Sequence, residues 1–175
     1  MKRIPSGVGI VSHVGRGIES INFDGTRLEK RPDLSLTLTA PSHGQRFPLI
    51  VEAKIIDYHT GKTAKLYCEN GVRRFQVGDY AWECREAFML AFVRDNVELL
   101  PTLTPDLVAK NDNDTFAFGT LAGLDARSTP SGELATSRHS RSFIYNHQSS
   151  PNDAPGPISI WHIWLRTPTV AARSS

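Results

Sequence analysis

Cysteine is scarce in this chain. Only Cys68 and Cys84 occur, with no CxxC pair and no histidine at zinc spacing, which argues against a structural zinc site. One disulfide is conceivable, but two reduced thiols in a cytoplasmic protein are the expectation. Long hydrophobic runs are also missing. None reaches the ~18 residues of a membrane span. The start, MKRIPSGVGIVSHVGRG, has only a short apolar run from Val8 to Val11, broken by Gly9, so it lacks the apolar segment of a signal peptide. A cytoplasmic location and no membrane partner are expected. Charge of one sign is absent too: the formal net charge is +2. That permits a nucleic-acid partner without arguing for one, so the argument rests on where the charges sit. No GxSxG or P-loop pattern is present, and there is no internal repeat.

What remains is an ordinary globular composition, 39% apolar and 22% charged over 175 residues, enough for one domain with a real core. Ile10, Val11, Val14, Ile18 and Ile21 recur at helical spacing and predict a short helix over 9–21, interrupted by Gly15 and Gly17. Residues 34–40, LSLTLTA, alternate as a half-buried strand. Residues 48–57, PLIVEAKIID, are apolar on both faces except at Glu52 and Lys54, as in a central strand. Over 62–76, Ala64, Cys68, Gly71, Val72 and Phe75 fall on one helical face, with Gly71 suited to close packing. Lys62, Lys65, Glu69, Arg73 and Gln76 fall on the other. Residues 87–95 read as a buried strand and 104–110 as a helical turn capped by Thr104. From about 125 the chain is rich in Ser, Pro, Gly and Asn, which predicts long loops, with a strand near 157–166. The expected organisation is a core over 1–124 and a loop-rich extension over 125–175 whose strand packs on the same domain. The fold class is α/β.

Chemistry concentrates at Asp33 and at Glu52-Ala53-Lys54. Glu52 and Lys54 are two apart on one strand, so they share a side of it. Asp33 heads the neighbouring strand, and pairing of the two strands brings a second carboxylate close. Two adjacent carboxylates resist ionisation unless a cation joins them. Hard oxygen ligands suit Mg²⁺ or Mn²⁺, and an ammonium at Lys54 can orient a water or stabilise charge on a phosphate.

RPD…VEAK resembles the PD-(D/E)XK signature of restriction-endonuclease-like nucleases, over roughly residues 10–95. The resemblance implies a mixed central sheet flanked by helices in the order α-β-β-β-α-β. It implies that Asp33, Glu52 and the main-chain carbonyl of Ala53 hold Mg²⁺, and that Lys54 assists catalysis. It also makes Glu19 the counterpart of a carboxylate that many members add from the first helix. The implied activity is Mg²⁺-dependent hydrolysis of phosphodiester bonds, of DNA rather than RNA. A homodimer or a partner protein would supply specificity.

The alternatives are blander. Glu52 and Lys54 can form a surface ion pair on a solvated edge strand, worth about 0–1 kcal/mol. Lys62, Lys65, Arg73 and Gln76 either track phosphates beside the site or form a solvated helix face; Arg74, off that row, is expected in a structural ion pair. His162 is expected as a hydrogen-bonded core histidine. His139 and Arg141 lie where they could touch phosphate, with structural roles favoured. A rival function is a catalytically silent nucleic-acid-binding module of the same fold, or a subunit of a larger complex.

Overall fold

The computed structural model describes residues 11–17, 24, 26, 30–38, 48–147 and 150–166, without the side chains of 146–153. Its centre is a seven-stranded mixed sheet in the order β1-β2-β3-β4-β9-β6-β5. Strands β1 (Val11–Arg16), β2 (Leu34–Leu38) and β3 (Leu49–Ile56) form an antiparallel meander in which Leu34 lies opposite both Arg16 and Val51. The helix expected over 9–21 is therefore a strand where it is described. Gly15 and Gly17 weaken a helix, while the outer edge of β2 offers unpaired backbone groups to a valine-bearing segment. Glu19 lies outside the described residues.

After β3, Asp57 closes a tight turn: its side chain accepts the Thr60 N–H, and Gly61 takes a left-handed conformation at φ 75°. Thr63 then caps helix α1, accepting the Leu66 N–H at 3.4 Å. Helix α1 is α-helical over Ala64–Tyr67, wound as a π-helix over Cys68–Val72, and α-helical again over Arg73–Gln76. The predicted apolar face is the one it buries, with Ala64, Cys68, Val72 and Phe75 all at 0% exposure. A side-chain carbon at Gly71 would meet Met89 Cε at 2.3 Å and Lys54 Cε at 3.8 Å. Glycine there lets the helix settle directly onto the sheet beside Lys54.

Strand β4 (Glu86–Val93) runs parallel to β3, with Glu52 opposite Met89. Helix α2 (Leu99–Leu107) begins earlier than the expected turn, so Thr104 lies inside it rather than at its cap. Pro101 obscures this in the sequence, yet it sits in the first turn, where no N–H is needed. The Leu99 N–H is accepted instead by Glu133 at 2.9 Å.

Residues 125–139, expected as loop, belong largely to a hairpin of β5 (Thr120–Thr129) and β6 (Gly132–His139). Strand β5 is an exposed edge, so its Ser, Thr and Gly content does not betray it as a strand; the residues are β-competent but unburied. A small sheet of β7 (Tyr145–His147) and β8 (Ser150–Asp153) follows. Strand β9 (Ile158–Arg166), the strand expected near 157–166, inserts at the centre of the sheet, parallel to β4 and antiparallel to β6. The C-terminal part thus completes the core.

Both described helices lie on one face of the sheet, where Ile56, Ala87, Met89, Ala91, Ile158, Ile160 and Trp164 are buried with Tyr67, Phe75, Leu99, Leu103 and Leu107. Each large side chain so buried contributes on the order of 1.5–3 kcal/mol. No helix among the described residues is long and apolar enough to cross a membrane. Cys68 and Cys84 are free and buried, and burial raises both thiol pKa values, that of Cys84 to about 11.

Arg141 ties the C-terminal part to the β4 entry. Its guanidinium donates to the carbonyls of Cys84 (2.8 Å), Trp82 (2.9 Å), Gly156 (2.9 Å), Ala81 (3.3 Å) and Pro155 (3.3 Å). It is a structural clamp, not a surface phosphate contact. Replacement by alanine strands several carbonyls, each costing about 1–3 kcal/mol if left buried. Arg141→Ala is expected to lower unfolding free energy in urea by at least about 3 kcal/mol. Arg141→Lys recovers only part of that, because an ammonium cannot reproduce the planar fork. A loss below about 1 kcal/mol in the alanine variant contradicts the clamp.

Candidate functional site

The ladder between β2 and β3 reaches Val51 opposite Leu34. One step beyond, the Ala53 N–H donates not to a backbone carbonyl but to the Asp33 carboxylate, at 2.7 Å. This seats Asp33 on the outer edge of β3. Within a strand the N–H and C=O of one residue face the same edge, so the Ala53 carbonyl lies on the Asp33 side.

Glu52, next along, points to the helix-covered face and is 2% exposed. Its Oε1 takes Lys54 Nζ at 2.5 Å and Arg74 Nη1 at 3.1 Å. Its Oε2 is buried and has no hydrogen-bond partner among the described residues. Burial raises the Glu52 pKa above the ordinary carboxylate value; Lys54 and Arg74 oppose the rise, and the nearby Asp33 charge adds to it. A carboxylate that is buried, half satisfied and beside another carboxylate is one that gains from a cation.

A second layer holds this arrangement. Arg74 Nη1 also donates to the Tyr80 hydroxyl at 2.7 Å, and Tyr80 donates to the Arg31 carbonyl at 3.0 Å. The guanidinium lies over the Tyr80 ring, 5.4 Å from its centroid. The π-helical turn and the chain entering β2 are thereby fixed relative to Glu52 and Asp33. Lys30 reinforces the entry with an ion pair to Asp79 at 2.8 Å.

Two recesses flank the site. A groove at Asp33 is lined by Arg16, Gly17, Arg31 and Pro32. A cleft of about 570 Å³ beside Lys54 is lined by Lys62, Leu66, Asn70, Phe92 and the Ala53–Ile55 edge of β3, among others. Of the four residues expected to track phosphate, Lys62 alone shares a recess with the site. Lys65 is exposed and loosely paired with Glu69 at 3.9 Å. Arg73 lines a separate groove with Asn111 and Ser140. Gln76 is buried rather than solvent-facing; its amide packs where a side chain at Gly119 would clash.

The structure therefore brings Asp33, Glu52, Ala53 and Lys54 together, with Lys62 nearby. Arg74 does enter an ion pair, as expected, but its partner is the central carboxylate. Tyr80, Arg16 and Arg31 were not singled out by sequence. Tyr80 carried a faint signal in sitting just beyond the helix, in GDYA, while the two arginines had none. Among the described residues no group of three or more His, Cys, Asp or Glu gathers as a metal cluster; the donor set here is two carboxylates and a carbonyl. No family model, no curated protein and no solved structure matches the chain.

Proposed function

We propose that the chain is a metal-dependent nuclease of the PD-(D/E)XK kind that hydrolyses phosphodiester bonds, of DNA in preference to RNA. The observation that carries this is the buried Glu52 carboxylate, with one oxygen held by Lys54 and Arg74 and the other without a partner among the described residues, beside Asp33. The order of elements supports it: an antiparallel three-strand meander, a helix, and a strand parallel to the third, with the acidic residues at the head of the second strand and on the third.

The residues fit a hard divalent cation, because Glu52 Oε2 lacks a partner among the described residues and the neighbouring Asp33 carboxylate and Ala53 carbonyl share the adjacent strand edge. Glu52, Asp33 and that carbonyl would hold Mg²⁺ or Mn²⁺, which supplies polarisation of the scissile phosphate and acidifies water. Lys54 donates from the same pocket. It orients the attacking water and stabilises charge as it builds on the phosphate. Lys54 and, to a lesser degree, Arg74 oppose the rise in the Glu52 pKa that burial causes, and Tyr80 keeps Arg74 in place. Arg16 and Arg31 at the Asp33 groove and Lys62 at the other recess supply cations on both sides, where the flanking phosphates would run.

The test is cleavage of plasmid, linear and single-stranded DNA and of RNA with Mg²⁺, Mn²⁺ or EDTA. Cutting that needs the metal and favours DNA is the expected result. Cutting that proceeds equally in EDTA overturns the reading. The silent-module reading is favoured by one observation, that both cations already neutralise Glu52. It predicts nucleic-acid binding without Mn²⁺ uptake, and calorimetric titration with Mn²⁺ separates the two.

A further inference from the structure

The cleft beside Lys54 has walls unlike the rest of the site. Leu66 on α1 and Phe92 on β4 are large apolar side chains left 42% and 39% exposed, and both face into it. Its volume, about 570 Å³, lies in the range of small-ligand pockets. Lys62 stands in its wall as a cation, and Asn70 brings an amide. Along one side runs the edge of β3 that β2 no longer covers. Pairing with β2 ends at Val51, and the next backbone bridge on that edge is Asp57 with Lys62. Residues two apart share an edge, so the N–H and C=O of Ile55 face the same way as those of Ala53 and lie between these two points.

An apolar slot with one backbone donor, one backbone acceptor and an amide, opening beside two lysines, matches the parts of a nucleotide: a flat base, polar on its rim, joined to phosphates. We propose that this cleft takes an unpaired base of the strand being cut, so that the chain acts on single-stranded or locally opened nucleic acid. The inference rests on the nuclease reading above and narrows its substrate. A base in a duplex has both faces covered and its rim paired, and must leave the stack to enter such a slot. Leu66 and Phe92 take the faces of the base without regard to sequence, since every base has an apolar face. The polar edge of β3 reads its rim.

The experiment uses short fluorescent oligodeoxynucleotides of one sequence, single-stranded, fully duplexed, and single-stranded with one abasic position moved stepwise along the strand. Cleavage is followed with Mn²⁺, and binding by fluorescence anisotropy in EDTA. The single strand is expected to be cut at least about tenfold faster than the duplex, and one abasic register to lose about tenfold in cutting and binding. In Leu66→Ala, an exposed position whose truncation spares the core, that difference between intact and abasic strands disappears. A wild-type abasic series that is flat in every register, or a duplex cut as fast as the single strand, overturns the base slot while leaving the metal site standing. Absence of cutting on every substrate overturns the nuclease reading, and the abasic binding series in EDTA then decides the slot alone: a flat series overturns it.

Discussion

Lys54→Ala is expected to lower the cleavage rate by a factor of about 10²–10³ or more, with the chain still folded. The expectation has two independent parts. Lys54 donates in the pocket where negative charge would build, and a preorganised donor in such a place is the kind of group whose loss costs that much. Lys54 is also the strongest influence holding down the pKa of Glu52. Without it, burial and Asp33 act against Arg74 alone, so Glu52 takes up a proton at a higher pH than in the wild type. A protonated Glu52 competes with the metal for its own oxygen. The variant should therefore need more Mn²⁺, and its deficit should shrink but not vanish as pH rises, because the donor remains absent. Activity fully restored at high pH and high metal would show that Lys54 acts only through Glu52. Its loss leaves the buried Glu52 carboxylate with Arg74 alone, so the unfolding free energy should fall as well. The fall should be less than the roughly 3–5 kcal/mol of a fully buried pair, because Lys54 is itself 23% exposed and Glu52 can take up a proton. Rates measured across pH and Mn²⁺ concentration, alongside a urea unfolding curve, check each part.

Mild acid is expected to destabilise the fold steeply, through two buried histidines on β6 and β9. His139 and His162 are both at 0% exposure and belong to one hydrogen-bonded chain whose direction the geometry fixes. The Phe118 carbonyl can only accept, so His139 Nδ1 carries the proton in that 2.9 Å bond. His139 Nε2 then accepts from Ser137 at 2.6 Å. Ser137 in turn accepts from His162 Nε2 at 2.7 Å, and His162 Nδ1 accepts from Tyr67 at 2.8 Å. Every ring nitrogen is satisfied with both rings neutral, and a second proton on either ring would force the hydroxyl that donates to it, Ser137 or Tyr67, to turn its hydrogen away. Burial lowers both pKa values from 6.5, to about 4 for His139 and about 3 for His162.

A histidine whose folded pKa lies below its unfolded value contributes stability that is fully present above the unfolded value and is lost as pH falls toward the folded one. Between pH 6.5 and about 4 both histidines act, at about 1.4 kcal/mol per pH unit each. The unfolding free energy is thus expected to drop by roughly 2–3 kcal/mol per unit across that window. His162→Gln, which keeps an acceptor for Tyr67 and a donor for Ser137, should halve the slope. Imidazole resonances of His139 and His162 that stay unprotonated in folded protein down to pH 5 give the same answer without a variant. Titration of either ring near 6.5 contradicts it.

The site was more legible than the scaffold. Glu52 and Lys54 stood out because charge inside an otherwise apolar strand is costly and needs a reason, and Asp33 joined them through its place at the head of the neighbouring strand and the resemblance of RPD…VEAK to the PD-(D/E)XK signature. His162 was legible as a core histidine for the same reason, whereas its partner His139 was lost in a polar stretch read as loop. The helix α1 face followed from its spacing. Strand β1 did not, because a few apolar residues at helical spacing are outweighed by two glycines and a waiting strand edge. Strand β5 was hidden because an exposed edge strand carries no buried alternation to detect, and β6 because the residues it buries in alternation, Ala135, Ser137 and His139, are small or polar. Arg74 and Tyr80 could not be assigned to the site from spacing alone. Their roles depend on how α1 lies across the sheet, which Gly71 sets by close approach.

The most direct test of the central claim is Mn²⁺-dependent cutting of single-stranded DNA by wild type and by Glu52→Gln, a variant of the same shape that keeps an acceptor for Lys54 and Arg74. The account predicts cutting by wild type that EDTA abolishes, and none by the variant at an unchanged unfolding midpoint. Equal cutting by the two proteins, or cutting by wild type that survives EDTA, would contradict it.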